Sequence, residues 1–114
     1  MRSLKKKNRM NRNGLKVGYW KHYYEDGNLA NKGSYTNGSQ GGYWEFYWGN
    51  GNLRSKGSFI NGLECGEWEY YYYNGSLCSK GNYVNGLKVG EWRFYTDNVL
   101  IRTTLYKDDK IIPY

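Results

Sequence analysis

The chain repeats itself every 24 residues, and that period constrains its architecture more than any other property. Trp20, Trp44, Trp68 and Trp92 fall in one column, with Gly18, Gly42, Gly66 and Gly90 two residues before them. Tyr23, Tyr47, Tyr71 and Tyr95 form a further column. A Lys-Gly pair recurs at Gly33, Gly57 and Gly81, followed two residues later by Tyr35, Phe59 and Tyr83. The stretch 42–65 carries the whole pattern, and units of this kind bury apolar surface only against the copies before and after them.

Each copy holds two turn signals. Asn-Gly or Asp-Gly begins at Asn13, Asp26, Asn37, Asn50, Asn61, Asn74 and Asn85, with gaps that alternate between 13 and 11 residues. Asn-Gly tolerates positive φ at both central positions of a type I′ turn, the tightest hairpin connection. The segments between turns are strand-sized, rich in Tyr, Trp, Phe, Ser and Lys, and show no helical period. Each copy is therefore expected to be a β-hairpin, and the chain an all-β, elongated, single-sheet antiparallel meander of eight or nine strands.

The turns also set a register. With Asn50 and Gly51 as the two turn residues, Trp44 faces Gly57 and Gly42 faces Phe59. The other copies follow, so each Trp is expected to pack over the Gly opposite it, and each pre-Trp Gly to lie under a facing ring. Alternation then gathers the Trp column, the His22/Phe46/Tyr70/Phe94 column and Leu29, Leu53 and Leu77 on one face. The opposite face carries Tyr23, Tyr47, Tyr71 and Tyr95 with Lys21, Glu45, Glu69 and Arg93, and is expected to be wet.

Aromatic residues make up 19% of the chain against 39% hydrophobic residues in all, so aliphatic content is too low for a two-layer sandwich. The net charge of +7 is uneven. Arg2, Lys5, Lys6, Lys7, Arg9 and Arg12 sit in the first 13 residues without an acid, whereas the rest is near neutral. This divides the chain into a basic, flexible arm over residues 1–12 and a repeat domain over 13–114, with residues 1–8 expected to be disordered. The arm lacks the apolar core of a secretory signal, and the expected location is cytoplasmic. In the derived register Cys78 faces Tyr71 and Cys65 lies far from it, so both are expected as free thiols.

The last copy decays. It turns at Asp97-Asn98-Val99, and 100–112 loses the Lys-Gly pair, as befits a capping unit. The in-frame register places Ile101, Thr103 and Leu105 on the aromatic face; a one-residue slip would place Leu100, Thr104 and Tyr106 there instead. Apolar alternation favours the first. Lys107, Asp108, Asp109, Lys110 and Pro113 fit the protection of an exposed sheet edge.

No catalytic constellation stands out: His22 is the single histidine and replaces an aromatic residue in its column. Glu67, Glu69 and Glu91 read as solvated charges of the wet face, and no cofactor or metal is expected. The remaining signal is the aromatic face. Contiguous exposed rings mark interaction surfaces. The central copies are expected to carry a partner through Trp44, Phe46, Trp48, Trp68, Tyr70 and Tyr72, with Trp48 as an anchor that has little structural duty. The arm offers a separate route to nucleic acid or an anionic membrane through Arg2, Lys5, Lys6, Lys7, Arg9 and Arg12.

The pattern G-x-W-x-x-Y…N-G-x-L…K-G-x-Y-x-N-G, over about residues 13–110, resembles MORN repeats in the variant found in YwqK-type antitoxins. The resemblance implies stacked β-hairpins and a non-enzymatic protein that binds and neutralises a partner protein, a toxin or defence effector, as an inhibitor of phage or bacterial origin would.

Overall fold

The computed structural model describes residues 8–113, which form one open antiparallel sheet with its strands in chain order. The strands are β1 (Arg9–Met10), β2 (Lys16–Tyr23), β3 (Leu29–Thr36), β4 (Ser39–Tyr47), β5 (Leu53–Ile60), β6 (Leu63–Tyr71), β7 (Leu77–Val84), β8 (Leu87–Thr96), β9 (Val99–Lys107) and β10 (Lys110–Ile112). The array measures 56 × 29 × 26 Å. Two short end strands raise the number above the eight or nine expected.

The two turn classes differ in construction. Asn37-Gly38, Asn61-Gly62 and Asn85-Gly86 are two-residue type I′ turns with positive φ at both positions. Asp97-Asn98 and Asp108-Asp109 form the same turn without glycine, because Asp and Asn tolerate the left-handed region. Asn50-Gly51 does not form one. The Trp48 N–H donates to Asn52 O, the Gly51 N–H donates to Trp48 O, and Asn50 Oδ1 accepts from the Asn52 N–H. Only Gly51 has positive φ, so the tip is a wider loop built on a type I turn. Asp26-Gly27 and Asn74-Gly75 repeat it.

The register within hairpins is as derived: Trp20, Trp44 and Trp68 pair with Gly33, Gly57 and Gly81. Beside the wide tips, however, Phe46 pairs with Ser55 while Tyr47 pairs with Leu53, which leaves Arg54 as the bulged residue. A bulge flips the alternation beyond it. Leu29, Leu53 and Leu77 therefore oppose Tyr23, Tyr47 and Tyr71 and not the aromatic column, contrary to expectation. For the same reason Tyr71 faces Leu77, and Cys78 is the bulged residue. Both cysteines are free.

A second bulge lies between hairpins. Lys32 pairs with Glu45 and Ser34 with Gly41, so Gly33 alone opposes Gly42, Tyr43 and Trp44. Gly42 takes φ +67° there, and a Cβ on it would meet nothing within 4 Å. Backbone conformation demands this glycine, not a covering ring. The bulge turns the Trp44 indole back over Gly33, where a Cβ would stand 2.1 Å from the ring. Trp68 covers Gly57 and Trp92 covers Gly81 in the same way. Each Trp thus packs on the preceding hairpin and not on its own paired glycine, which corrects the packing expected from the register.

The core is this seam. Trp44, Trp68 and Trp92 are almost wholly buried with Phe59 and Tyr83, and Tyr35, Phe46, Tyr70, Phe94 and Tyr106 pack against them. Trp44, Trp68 and Trp92 donate Nε1–H to Ser34 O, Ser58 O and Asn82 O at 3.0–3.1 Å, so every buried indole is satisfied by the hairpin before it.

At the C-terminal end the slipped register wins for Thr104 and Tyr106, whereas Leu100 opposes Tyr95 across a bulge at Ile101. Trp92 pairs with Thr104, Gly90 with Tyr106 and Phe94 with Arg102, while Leu105 opposes Glu91. The in-frame placement of Ile101, Thr103 and Leu105 is overturned because the Asp97-Asn98 turn is shorter than the wide loops, and because Tyr106 packs its ring edge on Trp92. At the other end the expected disorder of residues 1–7 lies outside the described residues. Asn8 is ordered against β2: it exchanges hydrogen bonds with the Lys21 backbone through its amide side chain and donates its N–H to Tyr19 O. Arg9, assigned to the arm by composition, begins β1.

Candidate interaction surface

The aromatic face is a continuous ladder of rings. Trp20, His22, Trp44, Phe46, Trp68, Tyr70 and Trp92 follow one another with centroids 5.5–6.4 Å apart and planes within 34° of parallel. Tyr35, Phe59 and Tyr83 stand edge-on beside them. The ladder forms because adjacent columns alternate Trp with a second ring across the wide bulge, while glycine opens room beneath each indole.

Stacking changes which of the expected contact residues a partner can reach. Trp44 and Trp68 are core and offer a partner nothing. Phe46 and Tyr70 are half-buried and present edges, while Tyr72 is exposed. Trp48 is half-buried, donates Nε1–H to Tyr71 O at 3.2 Å and meets Tyr73 edge-on. It therefore ties its loop to the next one, as Tyr24 does through its hydroxyl to Tyr47 O and Tyr72 to Tyr95 O. The expectation that Trp48 has little structural duty is corrected by this contact. Arg9 and Arg12 are exposed at the N-terminal end. Arg2, Lys5, Lys6 and Lys7 lie outside the described residues.

Cations lie over the rings, and these the sequence reading missed. Lys16 is over Trp20 and Tyr35, Arg54 over Phe46 and Trp48, Lys88 over Trp92 and Tyr106, and Arg102 over Phe94 at 4.3 Å. The bulge beside the wide tip brings Arg54 to this face, and the slipped register of β9 brings Arg102 there opposite Phe94. Between the rings lie two adjacent clefts that share Tyr70. One, of about 190 Å³, has Phe46, Arg54, Ser55, Glu64 and Tyr70 in its walls. The other, of about 260 Å³, has Tyr70, Ser79, Tyr83, Lys88 and Phe94. Tyr70 and Tyr83 join their hydroxyls at 2.7 Å, and burial with this bond pushes the Tyr70 phenol up. At the first hairpin His22 takes that role with the Tyr35 hydroxyl at 3.0 Å, and burial followed by the charge of Lys16 lowers its imidazole below the usual value.

The opposite face is a charge ladder, more ordered than the solvated surface expected. Lys32 bridges Glu45 and Lys56 bridges Glu69, both at 3.5 Å. Tyr43 and Tyr47 donate to Glu45, and Tyr71 donates to Glu69. Burial pushes the Glu45 carboxyl up, but the hydrogen bonds from Tyr47 and Tyr43 and the charge of Lys32 outweigh it and hold the group below the ordinary range. At the wide-loop end, Tyr72, Tyr73, Ser76, Thr96 and Asp97 border a shallow cleft of about 430 Å³ where the short last turn leaves the loop stack unfinished. Among the described residues no group of three or more His, Cys, Asp or Glu is placed to hold a metal ion.

A single open layer of hairpins, with a core made from inter-repeat seams and one continuous aromatic face, defines a repeat scaffold. Three consecutive segments, 16–37, 40–61 and 64–85, match the MORN repeat variant family, and together they cover more than half of the chain. The chain belongs to that family, whose repeats generally serve as binding modules. The match stops before the fourth copy, the one whose turn and second strand depart from the pattern. No curated protein matches the chain.

Proposed function

We propose that this chain is a non-enzymatic, cytoplasmic protein-binding module that covers the surface of a partner protein, in the manner of an antitoxin or inhibitor directed at a toxin or defence effector. One observation carries the reading: half-buried ring edges, ring-stacked cations and two adjoining clefts run unbroken across the central copies. Such a surface combines the aromatic and arginine content typical of contact anchors with a rigid support. The contact residues are Phe46, Trp48, Tyr70 and Tyr72, with Trp44 and Trp68 as the buried frame that positions them.

The test is capture from the native host with the full chain as bait, followed by affinity measurement on variants. Tyr72→Ala and Tyr70→Ser are expected to weaken the captured partner, while Tyr47→Phe on the opposite face leaves it unchanged. Loss of binding through Tyr47 or Tyr71 with retention in the Tyr70 and Tyr72 variants would assign the partner to the other face. Binding that survives every repeat variant but disappears with the N-terminal arm and with rising salt would instead favour an electrostatic binder of nucleic acid or anionic lipid.

A further inference from the structure

Resting on that protein-binding reading, we infer that the aromatic face holds an acidic, extended segment of the partner, laid across the strands in a polyproline II-like conformation. Three observations converge. The first is charge. Lys16, Arg54, Lys88 and Arg102 lie on this face, against two carboxylates near them: Glu64, paired with Phe59, and Asp109, which accepts from the Lys88 N–H and lies close enough to act on Tyr83. None of the four cations is in an ion pair; the pairs among the described residues are made by Lys32, Lys56 and Arg93. A complementary segment is therefore acidic.

The second is ring geometry. The faces of the ladder rings are taken by one another and by Lys16, Arg54 and Lys88, so their edges are what remains for a partner. Ring edges carry the positive end of the aromatic quadrupole and attract carbonyl and carboxylate oxygens. Nucleobases need an uncovered ring face on which to stack, and the ladder has used those faces itself.

The third is a pair of hydroxyls that open into the clefts. As residues Ser55 and Ser79 are only 6% and 7% exposed, but each borders one of the two clefts. Among the described residues no buried side-chain polar atom is left unsatisfied, so each hydroxyl, without a hydrogen-bond partner among those residues, stays open to its cleft. A hydroxyl open to a cleft and free of internal partners can donate to a ligand carbonyl. The two occupy equivalent places in successive hairpins, two strands apart, which is about 9.6 Å. Three residues of polyproline II span about 9.3 Å and return to the same side of the helix, with every carbonyl free to accept. A β-strand turns residues i and i+3 to opposite sides, and an α-helix has already used its carbonyls. The segment that meets both hydroxyls is thus extended with a three-residue repeat.

The experiment is selection of a random dodecamer peptide library on the immobilised full chain, followed by fluorescence anisotropy with the enriched peptides. The expected result is enrichment of Pro-rich peptides with Asp or Glu at every third position. Their affinity should fall by about tenfold or more in the Arg54→Ala/Lys88→Ala variant and by a smaller factor in Ser55→Ala/Ser79→Ala. It should be unchanged in Lys32→Ala/Lys56→Ala, and thermal melting of each variant confirms that the fold is retained. Enrichment of neutral or basic peptides, acidic binders indifferent to Arg54 and Lys88, no enrichment at all, or displacement of the peptide by an oligothymidine would each overturn the inference. A captured host partner that depends on Tyr70 while the library yields no acidic peptide would refute this inference and leave the protein-binding reading standing.

Discussion

The Trp44 indole lies over Gly33, a residue of the hairpin before its own, although its register partner is Gly57. Because Trp68 and Trp92 repeat the arrangement, each hairpin is closed by the one that follows. Cohesion therefore resides between repeats. A single excised hairpin would have neither a covered glycine nor a buried indole.

Gly57→Ala is expected to be far more damaging than Gly42→Ala. A Cβ at Gly57 would stand 2.2 Å from the Trp68 ring, which must then leave its seat. The expected loss is about 3 kcal/mol or more, close to that of emptying the site. At Gly42 there is open space, and the cost is the positive φ alone, about 1–2 kcal/mol. Urea denaturation of both variants checks the order; equal losses would contradict the packing.

Trp44→Ala should cost about 3–5 kcal/mol, the usual range for a buried aromatic side chain. Trp48→Ala should cost less, about 2 kcal/mol, from a half-buried ring and one hydrogen bond to Tyr71 O. Trp48→Phe, which keeps a ring but not the donor, should fall between wild type and Trp48→Ala in thermal melts.

Acid should destabilise the first hairpin through His22. Its folded pKa is lowered, so the unfolded chain takes up the proton first as pH falls below the ordinary value of 6.5. Stability is then lost from that pH downward until the folded pKa is reached. His22→Phe restores the ring found at Phe46 and Phe94 and should flatten this part of the profile, read from melting temperature against pH.

Base should act through the tyrosines. Burial, then the hydrogen bond and charge of Glu45, push the Tyr43 phenol up to about 12, and Tyr47, Tyr70 and Tyr71 also lie above the usual 10.0. A raised folded pKa means that their stabilising contribution is complete below pH 10 and is lost as pH rises through the folded values. Tyrosinate absorbance from these four groups should therefore appear only above pH 10, together with loss of the β-sheet signal. Ionisation of Tyr43, Tyr47 and Tyr71 at the usual value of 10.0 would contradict the Glu45 and Glu69 hydrogen bonds.

Asn8→Ala should cost about 1 kcal/mol, because the side chain holds both backbone groups of Lys21 at the sheet edge. Amide exchange of Lys21 should quicken in this variant while that of Glu69, at the centre of the sheet, stays slow.

The sequence by itself determined the period, the antiparallel order and, in the first three hairpins, the pairing as far as the bulge beside each wide tip. Asn-Gly and Asp-Gly fix where the chain reverses, and alternation over short strands then leaves little freedom. It also separated the ring face from the charged face at the Trp and Tyr columns. The tertiary structure alone decided the rest. Whether Asn50-Gly51 closes tightly or widely depends on how its loop hydrogen-bonds to the next, through Asn52 and Trp48 to Tyr73 and Tyr71. That choice creates the bulge at Arg54, reverses Leu53 and brings a cation to the aromatic face. Where each indole points is likewise set by the space beneath the neighbouring glycine. Pattern along one chain specifies which residues pair, whereas the direction of a large side chain and the reach of a charge are settled only when adjacent repeats compete for the same volume.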